Sequence, residues 1–128
     1  MHPPLPTDEP VLGVDIGATR VKVGRVDPDG TVSQSAVHWL TDPERDERGI
    51  LACLDALVSE MDPEGACGHV GVGVPGAVRW PDGLVTKSPN FPAWRQFGLK
   101  AALEAPLGRS VRVDNDANTG VLGAVRQQ

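Results

Sequence analysis

The sequence predicts an α/β fold in which a three-stranded antiparallel meander is followed by alternating helices and parallel strands. Three segments near the start have the apolar patterns of strands, and the links between them are too short for a parallel crossover. Farther along, segments with apolar residues at helical spacing alternate with short apolar runs. The 128 residues are within the usual size of one domain, so a single core is expected.

The meander is predicted from the segments Val11–Val14, Val21–Val26 and Thr31–Leu40. The link Asp27–Gly30 reads Asp-Pro-Asp-Gly, which is typical of a tight turn because proline presets φ and glycine accepts a positive φ. Residues 1–10 are polar and proline-rich, and this composition predicts a disordered lead-in to a domain that starts at residue 11.

One long helix is predicted after the meander. Asp42 is suited to the N-cap and Pro43 to the first helical position. Pro63 and Gly65 are expected to end this helix. Its apolar face would consist of Ile50, Leu51, Leu54, Leu57, Val58 and Met61.

The rest of the chain is predicted to alternate between strands and helices. In order, the expected elements are a strand Val70–Val74, a hairpin of Ala77–Trp80 and Gly83–Thr86, a helix from Trp94 to about Glu104, a strand Val111–Val113 and a helix Ala117–Arg126. This order is typical of a ribonuclease-H-like (actin-like ATPase) domain. In such α/β sheets, ligand crevices form at the carboxyl ends of the strands.

Composition excludes several classes of function. The net charge of −5 argues against binding to nucleic acid, which relies on a basic surface. No apolar run approaches the roughly 20 residues that span a bilayer, and the N-terminus is unlike a signal peptide, so we expect a cytoplasmic protein without membrane contact. Cys67 and His69 do not suffice for zinc, which takes four ligands in a structural site.

Acids and amides crowd the end of the last predicted strand. Val111–Val113 is followed by Asp114, Asn115 and Asp116, with Asn118 close behind. Helix capping explains one such residue but not four. A hydroxyl that attacks a phosphoryl group needs a carboxylate to accept its proton, and either Asp114 or Asp116 could serve.

The first predicted strand also ends on an acid, Asp15. Gly17 and Ala18 let the backbone approach a phosphate, and Thr19 adds a hydroxyl donor. Asp15 could hold Mg²⁺ through water, since that ion prefers oxygen ligands and keeps part of its hydration shell. The alternative is an ordinary hairpin turn that contains an acid.

Two further loops have features of a sugar site. Asn90, between prolines and aromatic residues, offers both a donor and an acceptor to sugar hydroxyls. Trp94 is either a platform for a ligand or, more in keeping with how often Trp is buried, a core residue at a helix start. Pro75 and Gly76 form a turn whose backbone edge could lie along a sugar ring, or they are simply a turn.

Four segments, Val11–Arg20, Gly71–Val78, Ser88–Phe97 and Val113–Asn118, resemble the successive motifs of the ROK sugar kinases. The resemblance implies ATP and Mg²⁺ as cofactors and a hexose as substrate. It implies that Asp116 is the catalytic base, that Asn90 and Asn115 bind the sugar, and that Gly76 and Ala77 form part of the pocket wall. It assigns Asp15, Gly17, Ala18, Thr19 and Arg20 to the first phosphate-binding loop, and makes Asp114 structural.

Two residues of that loop depart from the family pattern. Ala18 replaces a second glycine, which is tolerable only at a negative φ. Arg20 stands where lysine is common, and its planar guanidinium changes the geometry of the charge.

The resemblance covers only an N-terminal lobe, residues 11–128. Members of the family are much longer, and their C-terminal lobe carries the zinc site, the second phosphate loop and the adenosine pocket. We therefore expect a glucokinase-like activity in the intact enzyme and little or none in this chain alone. The alternatives are a non-catalytic sugar-binding or regulatory fragment, and a truncated remnant that needs a partner lobe or forms a homodimer. Neither the sugar nor the choice between ATP and polyphosphate follows from the sequence.

Overall fold

The computed structural model describes residues 8–79, 82–94, 96–115 and 125. Its strands are β1 (Val11–Ile16), β2 (Arg20–Val26), β3 (Val32–Trp39), β4 (His69–Gly73), β5 (Ala77–Arg79), β6 (Leu84–Lys87), β7 (Phe97–Gly98) and β8 (Ser110–Asp114). The helices are a 3-10 turn (Asp42–Arg45), α1 (Glu47–Met61) and α2 (Leu99–Leu107). No helix within these ranges is both long enough and apolar enough to cross a membrane.

The main sheet has the strand order β3-β2-β1-β4-β8. β1 and β2 pair antiparallel, as do β2 and β3, whereas β4 runs parallel to both β1 and β8. The predicted meander followed by parallel strands is therefore confirmed. β5 and β6 form the predicted hairpin, and β7, which was not predicted, extends it to a separate three-stranded antiparallel sheet.

The two faces of the main sheet are covered differently. On one face, Leu12, Val14 and Ile16 of β1 are buried in the large core that also contains the apolar side of α1 and the start of α2. On the other face, Val11 and Val26 form a small cluster with Val125. Both faces of β1 and β2 are thus largely buried, which explains the nearly continuous apolar sequence of β1, whereas β2 also contains Arg20, Lys22 and Arg25.

The start of the first helix differs from the prediction. Asp42 is not the N-cap of a long helix but the first residue of the 3-10 turn, for which Thr41 is the N-cap. Glu44 accepts a hydrogen bond from the Thr41 amide at 2.8 Å and so closes this turn on itself. α1 then begins at Glu47, and the side chain of Asp46 caps it by accepting from the Gly49 amide at 2.7 Å.

The second helix was predicted too early in the chain. α2 begins at Leu99 rather than Trp94, because Trp94 is buried in an aromatic stack and the residues Phe97–Gly98 pair with β6. Pro106 lies inside the helix and does not end it. The end comes at Gly108, whose left-handed conformation (φ 62°) lets its amide donate to the Glu104 carbonyl at 3.0 Å.

Candidate functional site

Two acidic strand ends lie at the same edge of the main sheet. Asp15 of β1 is in register with Gly73 of β4, and Gly73 is in register with Asp114 of β8. Adjacent strands are spaced by about 4.8 Å, so the two acids are separated by roughly 10 Å along this edge. The Val74 amide donates to the Asp114 carbonyl at 3.0 Å, which extends the β4–β8 pairing past the strand end.

Lys22 belongs to the same edge, although sequence reasoning did not select it. It is opposite Asp15 in the antiparallel β1–β2 pair and is only 5% exposed. Apolar and polar residues alternate in Val21–Val26, which is typical of a half-exposed strand, whereas the structure covers both faces of β2. No local pattern in the sequence marks Lys22, because its burial depends on the packing on the second face of the sheet.

The loop between β1 and β2 is short and tightly closed. The Gly17 amide donates to the Arg20 carbonyl at 2.8 Å, and the Leu40 amide donates to the Thr19 carbonyl at 2.8 Å. Ala18 and Thr19 are exposed. Within the described ranges Gln96 is the one non-glycine residue with a positive φ, so Ala18 has the negative φ that its side chain requires.

Arg20 is also exposed at this loop, and its guanidinium lies 5.6 Å from the centroid of the Trp39 ring. Trp39 is itself 65% exposed on the edge strand β3. The Arg20 charge is therefore held over an aromatic face beside the loop, an arrangement that a lysine reproduces less well because it lacks a planar group.

Asn90 is exposed on a loop whose aromatic residues are buried. Phe91 and Trp94 stack with their ring centroids 4.3 Å apart, and Phe97 meets Trp94 edge-on at 5.0 Å. Trp94 is 6% exposed, so its interpretation as a core residue is confirmed and its expected place at a helix start is wrong. The stack anchors the loop and leaves the Asn90 side chain accessible.

The Pro75–Gly76 turn packs against the backbone that leads into this loop. Gly76 has φ +138°, and a Cβ at this position would be 2.1 Å from the Lys87 carbonyl oxygen. The Ser88 hydroxyl donates to the Pro75 carbonyl. The structure thus brings Gly76 and the exposed Ala77 next to the Asn90 loop.

Arg45 connects the two loops and was missed by sequence reasoning. Its guanidinium donates to the carbonyl of Ala18 in the β1–β2 loop, and to the carbonyl of Asn90 at 2.6 Å. The guanidinium lies 4.9 Å from the centroid of the Phe91 ring. No sequence pattern marks Arg45, because its acceptors are backbone carbonyls far away in the chain.

The acidic cluster after β8 is described only in part. Asp114 is half-buried at the strand end and Asn115 is exposed directly after it. Asp116, the base implied by the resemblance, is outside the described residues, as are Trp80 and most of the predicted helix Ala117–Arg126. Val125 of that segment is helical and fully buried.

The metal-binding expectations concern zinc and Mg²⁺. Across the described ranges no three His, Cys, Asp or Glu side chains are grouped to hold a metal. Burial, assisted by the nearby Asp62 charge, raises the pKa of the Cys67 thiol to about 11, which makes it a poor zinc ligand at neutral pH. Asp15 suits Mg²⁺ better, since that ion commonly binds one or two carboxylates together with water and substrate phosphates.

Comparison with known proteins identifies relatives along nearly the whole chain. A model of the ROK family matches residues 11–127. The chain is 34% identical over 113 residues to the glucokinase of Thermotoga maritima, covering 88% of this chain and 35% of that protein. It is 38% identical over 112 residues to the N-acetyl-D-glucosamine kinase of Erwinia tasmaniensis, covering 83% of this chain and 34% of that protein.

A solved structure shows the same fold. The ROK family glucokinase of Streptomyces griseus, in complex with glucose and AMPPNP, is similar with a TM-score of 0.76 and 31% identity, over 85% of this chain and 34% of that one. The expected family and the ribonuclease-H-like fold class are confirmed by these matches. The chain spans about a third of the length of the curated relatives it matches.

Proposed function

Because the chain belongs to the ROK family, we propose that it supplies the hexose-binding half and the first phosphate loop of an ATP-dependent hexose kinase of the glucokinase type. One observation carries the proposal. The acidic strand ends Asp15 and Asp114 share one edge of the sheet, and Arg45 links the loop after Asp15 to the loop that exposes Asn90. A phosphate-binding loop and a polyol-binding amide are what a sugar kinase needs side by side.

The proposed chemistry on the sugar side is transfer of a proton and a phosphoryl group. Asp116 accepts the proton of the attacking hydroxyl, whose oxygen forms the new bond to the γ-phosphorus while the bond to the leaving ADP oxygen breaks. Asn90 and Asn115 orient the hexose through its hydroxyls. Gly76 and Ala77 form the wall against which the ring lies, and the missing side chain of Gly76 lets this turn pack against the Lys87–Ser88 backbone that leads into the Asn90 loop.

The proposed nucleotide side uses the β1–β2 loop. Ala18 and Thr19 present their amides to the terminal phosphates, Thr19 adds its hydroxyl, and Arg20 adds a positive charge. Mg²⁺, held through water by Asp15, would neutralise charge on the phosphates when bound. Gly17 keeps the loop tight, because a Cβ there would be 3.2 Å from the Arg20 carbonyl oxygen.

The proposal includes a second lobe that completes the site. Phosphoryl transfer depends mostly on positioning and electrostatic stabilisation, so half of the contacts gives little turnover. The remaining contacts would come from a C-terminal lobe or, alternatively, from a second copy of this chain. A cytoplasmic location is part of the proposal, since both described cysteines are free thiols, as in reducing compartments.

The test is glucose-dependent release of ADP from Mg-ATP by the purified chain, measured beside Asp116→Asn and the matched exposed control Asp55→Asn. We expect no release above background from any of the three. Glucose-dependent release that Asp116→Asn abolishes and Asp55→Asn retains would contradict the half-site proposal, because the chain would then assemble a complete site by itself.

A second candidate is a non-catalytic sugar-binding protein, because the exposed amides of Asn90 and Asn115 can bind sugar hydroxyls without a catalytic base. Titration of the labelled chain with glucose and with N-acetyl-D-glucosamine, followed by NMR, separates the two candidates when combined with the ADP assay. Binding without turnover, even after a C-terminal lobe of a ROK glucokinase is added, would support this second candidate. Turnover that appears only on that addition would support the kinase.

A further inference from the structure

We propose that Arg45 is a positioning residue that holds the phosphate loop (Asp15–Arg20) and the sugar loop (Ser88–Trp94) in one fixed relative geometry. The proposal deepens the kinase function proposed above and rests on it for the identity of the two ligands. The distance between the attacking hydroxyl and the phosphoryl group depends on both loops, so a link between them acts directly on the reacting geometry.

The link consists of two hydrogen bonds from one planar group. The Arg45 guanidinium donates to the Ala18 carbonyl with one terminal nitrogen and to the Asn90 carbonyl, at 2.6 Å, with the other. A guanidinium has five donors in a rigid fork, so the positions of the two acceptors relative to each other are defined by its geometry. A lysine ammonium is a point charge without this fork.

Arg45 is itself held in place from both ends. Its guanidinium lies over the Phe91 ring at 4.9 Å, and its own carbonyl accepts a hydrogen bond from the Trp94 indole nitrogen at 3.1 Å. Its backbone ends the 3-10 turn that Glu44 closes onto Thr41. All of these contacts are formed between residues of this chain, so the link needs no group from a ligand.

The choice of acceptors has a consequence for the phosphate loop. In a trans peptide the C=O and the N–H of one unit point in opposite directions. A bond from Arg45 to the Ala18 carbonyl therefore directs the Thr19 amide to the side away from Arg45, as an exposed donor. On the sugar loop, the bond from Arg45 to the Asn90 carbonyl likewise fixes the orientation of the peptide between Asn90 and Phe91. The amide of this peptide donates to the Ser88 carbonyl at 3.1 Å.

The experiment measures amide hydrogen exchange by NMR in the 128-residue chain and in Arg45→Ala, Arg45→Lys and the control Arg48→Ala. Arg48 is exposed in the first turn of α1 and carries the same charge. In both Arg45 variants we expect exchange of the Gly17 and Phe91 amides to rise about tenfold, while the Val14 and Val72 amides change little and Arg48→Ala changes neither set.

Three results of the exchange experiment would overturn the proposal. One is unchanged exchange in either loop of Arg45→Ala, and the second is an equal rise in the loops and in the strands, which would indicate general destabilisation. The third is unchanged protection of the Gly17 and Phe91 amides in Arg45→Lys, because a positive charge alone would then be enough to hold the two loops.

A glucose titration of the same variants adds a readout of function. We expect Arg45→Ala and Arg45→Lys to weaken the affinity for glucose about tenfold, because the competent loop geometry is then only fractionally populated. An unchanged affinity for glucose in variants whose loop amides exchange faster would count against the positioning role. Failure to bind glucose both alone and with the added C-terminal lobe of a ROK glucokinase would contradict the proposed function, and the exchange result would still decide the positioning role of Arg45.

Discussion

Gly76 shows at the scale of one residue how the site constrains the sequence. Its φ of +138° is unfavourable for any side chain, and a Cβ would be 2.1 Å from the Lys87 carbonyl oxygen. We expect Gly76→Ala to lower the free energy of unfolding by about 3 kcal/mol or more, because both strain and a backbone clash are added. Urea unfolding followed by circular dichroism measures this loss.

Gly98 is the matched control for this substitution. It has φ −76°, and a Cβ there would meet no described atom within 4 Å. Gly98→Ala should change the free energy of unfolding by less than about 1 kcal/mol. Equal losses in the two variants would show that the packing of Gly76 against the sugar loop is not tight.

Glu44 gives the structure a predictable response to acid. Hydrogen bonds from the Thr41 amide, at 2.8 Å, and from the His38 side chain, at 2.9 Å, lower the pKa of this carboxyl to about 2. A carboxyl whose pKa is lower in the folded state stabilises the fold above its unfolded pKa of 4.5, and this contribution is lost as the pH falls toward 2.

Glu44→Gln should therefore lose less stability than the unmodified chain between pH 5 and pH 2. Thermal unfolding at several pH values in this window measures the difference, with Glu60→Gln, exposed near the end of α1, as the control. Identical pH dependence in the unmodified chain and in Glu44→Gln would contradict the assignment of the low pKa to Glu44.

At the residue scale, sequence reasoning could find the groups that stand at strand ends but not those that act across the fold. Asp15 and Asn115 follow apolar runs, and that position is visible in the sequence. Arg45 donates hydrogen bonds to backbone carbonyls of two distant loops. Lys22 is buried because the second face of the sheet is also covered. Both depend on tertiary packing, which leaves no local pattern.

At the scale of elements, Asp62 connects the end of α1 to two other parts of the fold. Its carboxylate is fully buried and contacts Arg25 of β2 at 3.2 Å and Arg109, just before β8, at 3.3 Å. It also accepts from the amides of Ala66 and Cys67 at 3.0 and 2.8 Å. Removing the charge would leave two arginines without their partner.

We expect Asp62→Asn to lower the free energy of unfolding by about 3 kcal/mol, as is usual when one member of a buried ion pair is removed. The control is Asp55→Asn, on the exposed side of the same helix, which should stay within about 0.5 kcal/mol. Urea unfolding measures both. Similar values for the two variants would mean that the Asp62 contacts do not hold α1 to the sheet.

Helix existence was easier to predict than helix boundaries, and the structure shows why. The apolar spacing from Ile50 to Met61 defines the buried face of α1 wherever the helix starts. The start itself depends on a competition between two caps, Thr41 with Glu44 and Asp46 with Gly49. The start of α2 was displaced by the pairing of β7 with β6, which no local signal indicates.

For the whole molecule, the relative directions of the strands followed from the lengths of the links, whereas the packing on the second face of the sheet did not. A short link between two strands requires an antiparallel pair, and a helix between two strands allows a parallel one. On the second face, however, Val125 packs into a cluster with Val11 and Val26 from the start of the chain. Gly24 provides room for this contact, since a Cβ there would be 2.8 Å from the nearest Val125 methyl carbon.

This contact between the two ends of the chain is tested by a double-mutant cycle. Val125→Ala should lower the free energy of unfolding by about 2 kcal/mol because it opens a cavity, and Gly24→Ala by about 1–2 kcal/mol because it clashes with the Val125 methyl groups. In the double variant the new methyl at position 24 occupies the vacated space, so the combined loss should be smaller than the sum by about 1 kcal/mol. Losses that add within about 0.3 kcal/mol would mean that Val125 does not pack against Gly24 of β2.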